Sequence, residues 1–328
     1  MYNLPSRAGQ TYLPEVVTLG EPLVQLNAVT TGPLRYVTYF ERHVAGAEAN
    51  VAVGTVRMGL TSGLISSVGD DEFGKLIVQS LRGEGVDVTQ IRTDGAAPTG
   101  VYFVQRGYPR PGRSAVLYYR RGSAASRLGV DDVRASYIKN AKWLHLTGIT
   151  PALSDSCKSA CERAFEIAQN SGVKISFDTN IRPALWDSRD ARSVLLPMVS
   201  RADLLFTDPD DSRVLVGEGE PARAARLLRE TGPATVVMKL GREGAVAFTG
   251  EGTFKQKAFE VPVVDPIGAG DAFAAIFISG ILKGWNTDKC LQAAAVAGAL
   301  VITTRGDEEN IPSEADIQEF LRDVKENE

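Results

Sequence analysis

The sequence is poor in histidine and cysteine. Its 328 residues include two histidines, His43 and His145, and three cysteines. Two histidines so far apart leave little material for a histidine-rich metal centre or a histidine relay. Three cysteines are too few for a disulfide framework. Cys157 and Cys161 stand four apart on one face of a predicted helix, but with no third ligand nearby they read as reduced thiols, which fits a reducing cytoplasm. Positive charge is not in excess either. The net charge is −4 and the isoelectric point is near 5.5, against nucleic acid as the main partner. Long apolar runs are also missing. The longest is broken by Lys283 and is too short to cross a bilayer. The first fifteen residues have no apolar core and do not read as a signal peptide, so no membrane partner is expected. Any anionic ligand has to be held locally, by backbone amides and a few placed arginines.

What is present is ordinary for a globular chain: 44% of residues are hydrophobic. Residues 1–15 read as a loose arm and 16–328 as a single α/β domain. A short strand is expected at 16–19. Residues 23–44 alternate, with a Thr30-Thr31-Gly32-Pro33 break, and predict a hairpin with one exposed face. Residues 47–58 read as a helix stopped by Gly59. A strand at 64–68 leads through a Gly/Asp turn into a helix ending near 81. Residues 99–105 and 115–120 alternate again. They have too few apolar residues for two buried faces, so residues 22–45 and 97–121 are assigned to a small sheet standing off the domain as a lid. From residue 142 strands and helices alternate: strands at 143–146, 173–177, 204–206 and 235–240, with helices at 155–169, 188–200 and 221–230. That rhythm predicts parallel strands with crossover helices. Helices at 272–282, 288–303 and 313–326 finish the chain, which contains no internal repeat.

The chain is organised around Val264-Asp265-Pro266-Ile267-Gly268-Ala269-Gly270-Asp271 and the apolar run that follows. The run is apolar on every side and predicts a buried helix. The glycines allow a tight turn with N–H groups aimed at a ligand, and a helix N-terminus favours an anion such as phosphate. A carboxylate beside a phosphate site is out of place unless it faces the attacking group, which makes Asp271 a candidate general base next to an anion hole. The plainer alternative is a turn followed by an acidic first helical residue.

This stretch resembles the C-terminal signature of the ribokinase-like (PfkB) sugar kinases, usually D-T-x-G-A-G-D-x-F, with Pro266 here where threonine is usual. Gly46-Ala47-Glu48-Ala49-Asn50 resembles the family's N-terminal signature, and the likeness covers nearly the whole chain from Val17. Three segments, around Tyr118-Tyr119-Arg120, Leu144-His145-Leu146-Thr147-Gly148 and Phe177-Asp178-Thr179-Asn180-Ile181-Arg182, resemble those of 2-keto-3-deoxygluconate kinases. The resemblance implies a three-layer α/β/α domain with a β lid, and transfer of phosphate from Mg·ATP to the terminal hydroxyl of a sugar acid. It implies that Asp271 is the base and that Gly268, Ala269 and Gly270 form the anion hole. Gly46, Asn50, Tyr102, Tyr118, Arg120 and Asp307 would contact the sugar acid. Asn180, Arg182, Lys239, Gly241 and Gly244 would contact the nucleotide. It also leaves room for a monovalent cation, K⁺, and implies a homodimer formed through the lids.

Each residue has a plainer reading. Tyr119 alternates away from Tyr118 and is expected in the core. Arg120 alone would be a solvated charge, and Arg182 a surface partner of Asp178 or Asp187. Residues 239–244 alone read as a strand-to-strand turn, and Asp307 as a solvated loop acid. Where many relatives carry a Glu-rich magnesium motif, this chain reads Thr207-Asp208-Pro209-Asp210-Asp211. Asp208 or Asp211 could hold Mg²⁺ through water, or Asp208 could be an N-cap. Two other functions stay open. One is the same chemistry on fructose, ribose or 5-keto-2-deoxygluconate. The other is a catalytically silent sensor or assembly protein, against which Asp271 and the intact Gly268-Ala269-Gly270 argue.

Overall fold

The computed structural model describes residues 13–186 and 190–326. The chain opens with β1 (Val16–Leu19), β2 (Leu23–Thr31), β3 (Phe40–Ala45), α1 (Ala47–Arg57), β4 (Ser62–Gly69), α2 (Glu72–Gly83) and β5 (Ile91–Asp94). Next come β6 (Val101–Arg106), β7 (Ser114–Tyr119), α3 (Ala135–Lys139), β8 (Trp143–Thr147), α4 (Thr150–Leu153), α5 (Asp155–Ser171) and β9 (Lys174–Asp178). Then follow α6 (Ala191–Val199), β10 (Leu204–Thr207), α7 (Pro209–Val216), α8 (Pro221–Thr231), β11 (Thr235–Lys239), β12 (Ala245–Phe248) and β13 (Thr253–Gln256). The last helices are α9 (Ala269–Leu282), α10 (Thr287–Val301) and α11 (Glu314–Glu326).

The large sheet has nine strands in the order β13-β12-β11-β10-β9-β8-β1-β4-β5. All pair in parallel except β12 and β13 at one edge. Because side chains alternate across a strand, each strand feeds two cores. Val16, Leu204 and Phe206 join a core with residues of α1, α2, α9 and α10, whereas Val17, Leu19 and Leu205 join one with residues of α5, α6 and α8. The result is a three-layer α/β/α domain. α9 is buried from Ala272 to Gly280, as an all-round apolar run requires, and packs between α1 and α10.

A second sheet, in the order β3-β2-β6-β7, grows out of the C-terminal end of β1. It is mixed, since β2 and β6 run parallel. Tyr119, expected in the core, is 65% exposed. Alternation does turn it away from Tyr118, but the face it joins is uncovered, and its ring meets Phe103 edge-on at 5.5 Å. Strands β5 and β13 were not anticipated, and β12 only as the strand that the 239–244 turn leads into; each is four residues long and lies in an outer position of the sheet. α9 starts at Ala269, so the glycine turn and helix are continuous. Of the expected arm, residues 1–12 lie outside the described residues, as does Ser188.

Candidate active site

The C-terminal ends of β1, β8, β9 and β11 converge with the N-termini of α1 and α9, where open α/β sheets bind ligands. Gly268 caps α9 in the left-handed region at φ +81°, and a Cβ there would lie 2.5 Å from Oδ1 of Asp307. Only glycine meets both demands. The first N–H groups of α9 have no partner within the helix and carry its positive end. A Cβ on Gly270 would come 3.3 Å from Nζ of Lys239, so an ammonium group lies directly against the turn.

Asp271 sits in the first turn of α9, half-buried. Nδ2 of Asn50, on α1, donates to Oδ2 of Asp271 at 2.9 Å and to Oδ1 of Asp307 at 2.7 Å. The Tyr102 hydroxyl donates to Oδ2 of Asp307 at 3.1 Å and accepts from Nε2 of Gln25 at 2.8 Å. Burial raises the Asp271 pKa and Asp178 adds to it, while Asn50, Lys239 and Arg182 oppose the rise. Burial, with Asp271 adding, holds Asp307 well above the aspartate range. Asp307 is thus a buried site residue, not a solvated loop acid. Oδ1 of Asn50 is buried with no hydrogen-bond partner, an acceptor available to a hydroxyl. Gly46 caps α1 at φ +131°, where a Cβ would lie 2.6 Å from the Glu21 carbonyl oxygen.

At the strand ends, Nζ of Lys239 bonds Oδ2 of Asp178 at 2.6 Å. Oδ1 of Asp178 is buried without a partner. The plain pairing of Arg182 with Asp178 is therefore absent; Asp187 lies outside the described residues, and Arg182 is exposed. Asn180, at φ +35°, holds a conformation rare for a side-chain-bearing residue. The 239–244 segment is a turn joining β11 to β12, with Gly241 at φ +57° and Gly244 at φ +99°.

Asp208 caps α7, with Oδ1 accepting from the amides of Asp210 and Asp211 at 2.9 and 2.8 Å. Asp211 accepts from the Thr179 hydroxyl and from the Ile181 amide at 3.0 Å, and burial, with Asp208 adding, raises its pKa to about 6. Among the described residues no group of three or more histidine, cysteine or acidic side chains could hold a metal ion. Mg²⁺ bound through phosphates would need only one or two carboxylates from the protein. The unpartnered Oδ1 of Asp178 and the half-buried Asp208 are the donors at hand.

On the small sheet, Tyr118 packs against Tyr102 with ring centroids 5.4 Å apart. Arg120 is not a solvated charge. It is buried, pairs with the buried Glu21, and lies 5.3 Å from the Tyr118 ring.

The sequence pattern of the pfkB family carbohydrate kinases matches residues 13–314. The chain belongs to this family. It is 51% identical to the 2-dehydro-3-deoxygluconokinase of Thermoproteus tenax over 94% of each chain. It is 37% identical to the Bacillus subtilis enzyme of the same name, over 94% of this chain and 95% of that one. A protein from E. coli, provisionally named ribokinase II and solved with ATP and Mg²⁺, superposes with a TM-score of 0.89 at 29% identity, covering 94% of this chain and 99% of that one.

Within this pfkB kinase site, three side chains had no role assigned from sequence: Asp178, Gln25 and Glu21. Asp178 was legible in principle, as an acid at the end of a predicted parallel strand. Gln25 shows as a polar residue at an inward position of an alternating strand. For Glu21 the only local hint is its place just past β1.

Proposed function

We propose that this kinase transfers the γ-phosphoryl group of ATP to the 6-hydroxyl of 2-keto-3-deoxygluconate, also called 2-dehydro-3-deoxygluconate. The observation that carries the reading is Asp271 in the first turn of α9, beside the glycine turn and bridged by Asn50 to Asp307. Asp307 and the free acceptor of Asn50 hold sugar hydroxyls. Asp271 lies where an attacking hydroxyl would meet a phosphoryl group on the turn, and it takes the proton late in a loose transfer. The amides of Gly268, Ala269 and Gly270, with Lys239 against them, stabilise charge on the phosphoryl oxygens. Arg182 lies near enough to Asp271 to lower its pKa, and it is assigned to the nucleotide together with Asn180. Mg²⁺, when bound, neutralises phosphate charge, with Asp178 and Asp208 as its protein-side donors.

The sugar acid's carboxylate is assigned to Arg120 and Tyr118 under the small sheet, which acts as a lid that excludes water. We place the reaction in a reducing cytoplasm, in keeping with three buried free thiols. We also propose a homodimer through the outer face of the lid, where Tyr36, Tyr39, Leu117 and Tyr119 are exposed. A coupled ADP-release assay over sugars and sugar acids tests the reading. The highest kcat/KM should fall on 2-keto-3-deoxygluconate; a preference for fructose, ribose or 5-keto-2-deoxygluconate would replace it.

A further inference from the structure

The small sheet and the glycine turn meet at one buried carboxylate that the scheme above leaves without a task. Asp265 stands three residues before Gly268 and is 1% exposed. Its Oδ2 receives Nη2 of Arg106, from the end of β6, at 2.9 Å and Nδ2 of Asn27, from β2, at 3.2 Å. Its Oδ1 faces the Ile267 amide at 3.3 Å. Nε of Arg106 donates to Oδ1 of Asn27 at 2.8 Å, which closes a triangle of three side chains. The same guanidinium lies 3.5 Å from the Val264 carbonyl.

Two further contacts tie this triangle to the chemistry. Ile267, between Asp265 and the turn, packs on the small sheet's own core of Leu23, Ala45, Tyr102 and Val104. From Asn27 a chain of contacts runs inward: Asn27 to Gln25 at 3.5 Å, Gln25 to Tyr102, Tyr102 to Asp307, and Asn50 to both Asp307 and Asp271. Asn27 and Gln25 are both fully buried. Buried polar chains with every link made hold one geometry, and a missing link loosens the rest.

We propose that Arg106 is a positioning residue for phosphoryl transfer. It fastens residues 264–268, and so the glycine turn, to the small sheet, and the anion hole takes its working shape only while that sheet lies over the site. This rests on the kinase reading of the site. Lifting the sheet draws Arg106 and Asn27 away from Asp265, leaves a carboxylate without its cation, and frees the segment before Gly268. Laying the sheet down restores both at once. A residue pair that only balanced charge would make no difference to the turn once that charge was removed, and this separates the two roles.

The test measures kcat, KM and melting temperature for Arg106→Met, Arg106→Lys and the double variant Arg106→Met/Asp265→Asn, on the sugar that the wild type uses best. Arg106→Met strands a buried carboxylate and should lower the melting temperature. The double variant removes that charge, so its melting temperature should return close to wild type. Its kcat should still stay down about 10²-fold, the scale for a misplaced reacting group, with a much smaller change in KM for the sugar. Arg106→Lys should recover part of kcat. A double variant with wild-type kcat would overturn the proposal and leave Arg106 as a counter-ion only. Should the methionine variants not fold, Arg106→Lys decides: a lowered kcat at an unchanged melting temperature supports the proposal, and wild-type kcat overturns it. A wild type inactive on every sugar with ATP would refute the kinase reading instead.

Discussion

A single amide group, Nδ2 of Asn50, donates to both Asp271 at 2.9 Å and Asp307 at 2.7 Å. The two carboxylates come from opposite ends of the α9–α10 hairpin; burial raises both pKa values, and Asp271 adds to the rise at Asp307. The shared donor lets them lie close together and favours the ionised form that a base needs.

Asn50→Leu removes that donor. The Asn50 hydrogen bond lowers the Asp271 pKa, so without it the pKa rises further. The base is lost as pH falls through its pKa, so the acid limb of kcat/KM should move to higher pH, and kcat should fall about 10²-fold. A pH–rate profile checks this, and an acid limb that stays in place would contradict it.

Arg120→Leu should act first on stability. It leaves Glu21 buried and unpaired, a loss of about 3–5 kcal/mol by melting or denaturant titration. Arg120→Leu/Glu21→Gln should regain most of that. In this double variant a carboxylate-reading role shows cleanly: kcat/KM for the sugar acid should drop by the equivalent of about 1.5–3 kcal/mol, and that for a neutral sugar much less. Equal losses on both classes would remove Arg120 from specificity.

Glu48 is fully buried behind the site, where burial raises its pKa to about 7 against the pull of hydrogen bonds from Thr147 and Thr150. Its folded pKa lies above the unfolded one. The native state therefore holds a proton that the unfolded chain has released, and stability falls as pH rises through that window up to about 7. Glu48→Gln keeps the acceptor for both threonines and removes the charge. It should stabilise the protein by about 1–3 kcal/mol at pH 8, and the gain should vanish near pH 5. A gain of the same size at both pH values would contradict this assignment.

The glycine turn, the buried α9 and the strand–helix rhythm after residue 142 were legible because each is a local pattern: glycines before an apolar run, then alternating elements. Strand β13 was not, because none of its four residues at the sheet edge is buried. Tyr119 shows how far alternation reaches. It gives the face a side chain joins, but not whether that face is covered. The side chains around the reacting groups were only partly legible. Asp178 finds Lys239 sixty-one residues away, Gln25 finds Tyr102 seventy-seven away, and Arg120 finds Glu21 ninety-nine away. Those pairings exist only once the strands are ordered in the sheet, and no window of sequence contains both partners.

The proposed transfer depends on Asp271 as the base. Asp271→Asn keeps the shape of the side chain and removes the proton acceptor. Turnover measured beside ADP binding by calorimetry should show kcat lowered by roughly 10²-fold or more with nucleotide affinity retained. Near wild-type turnover in that variant would contradict the central claim.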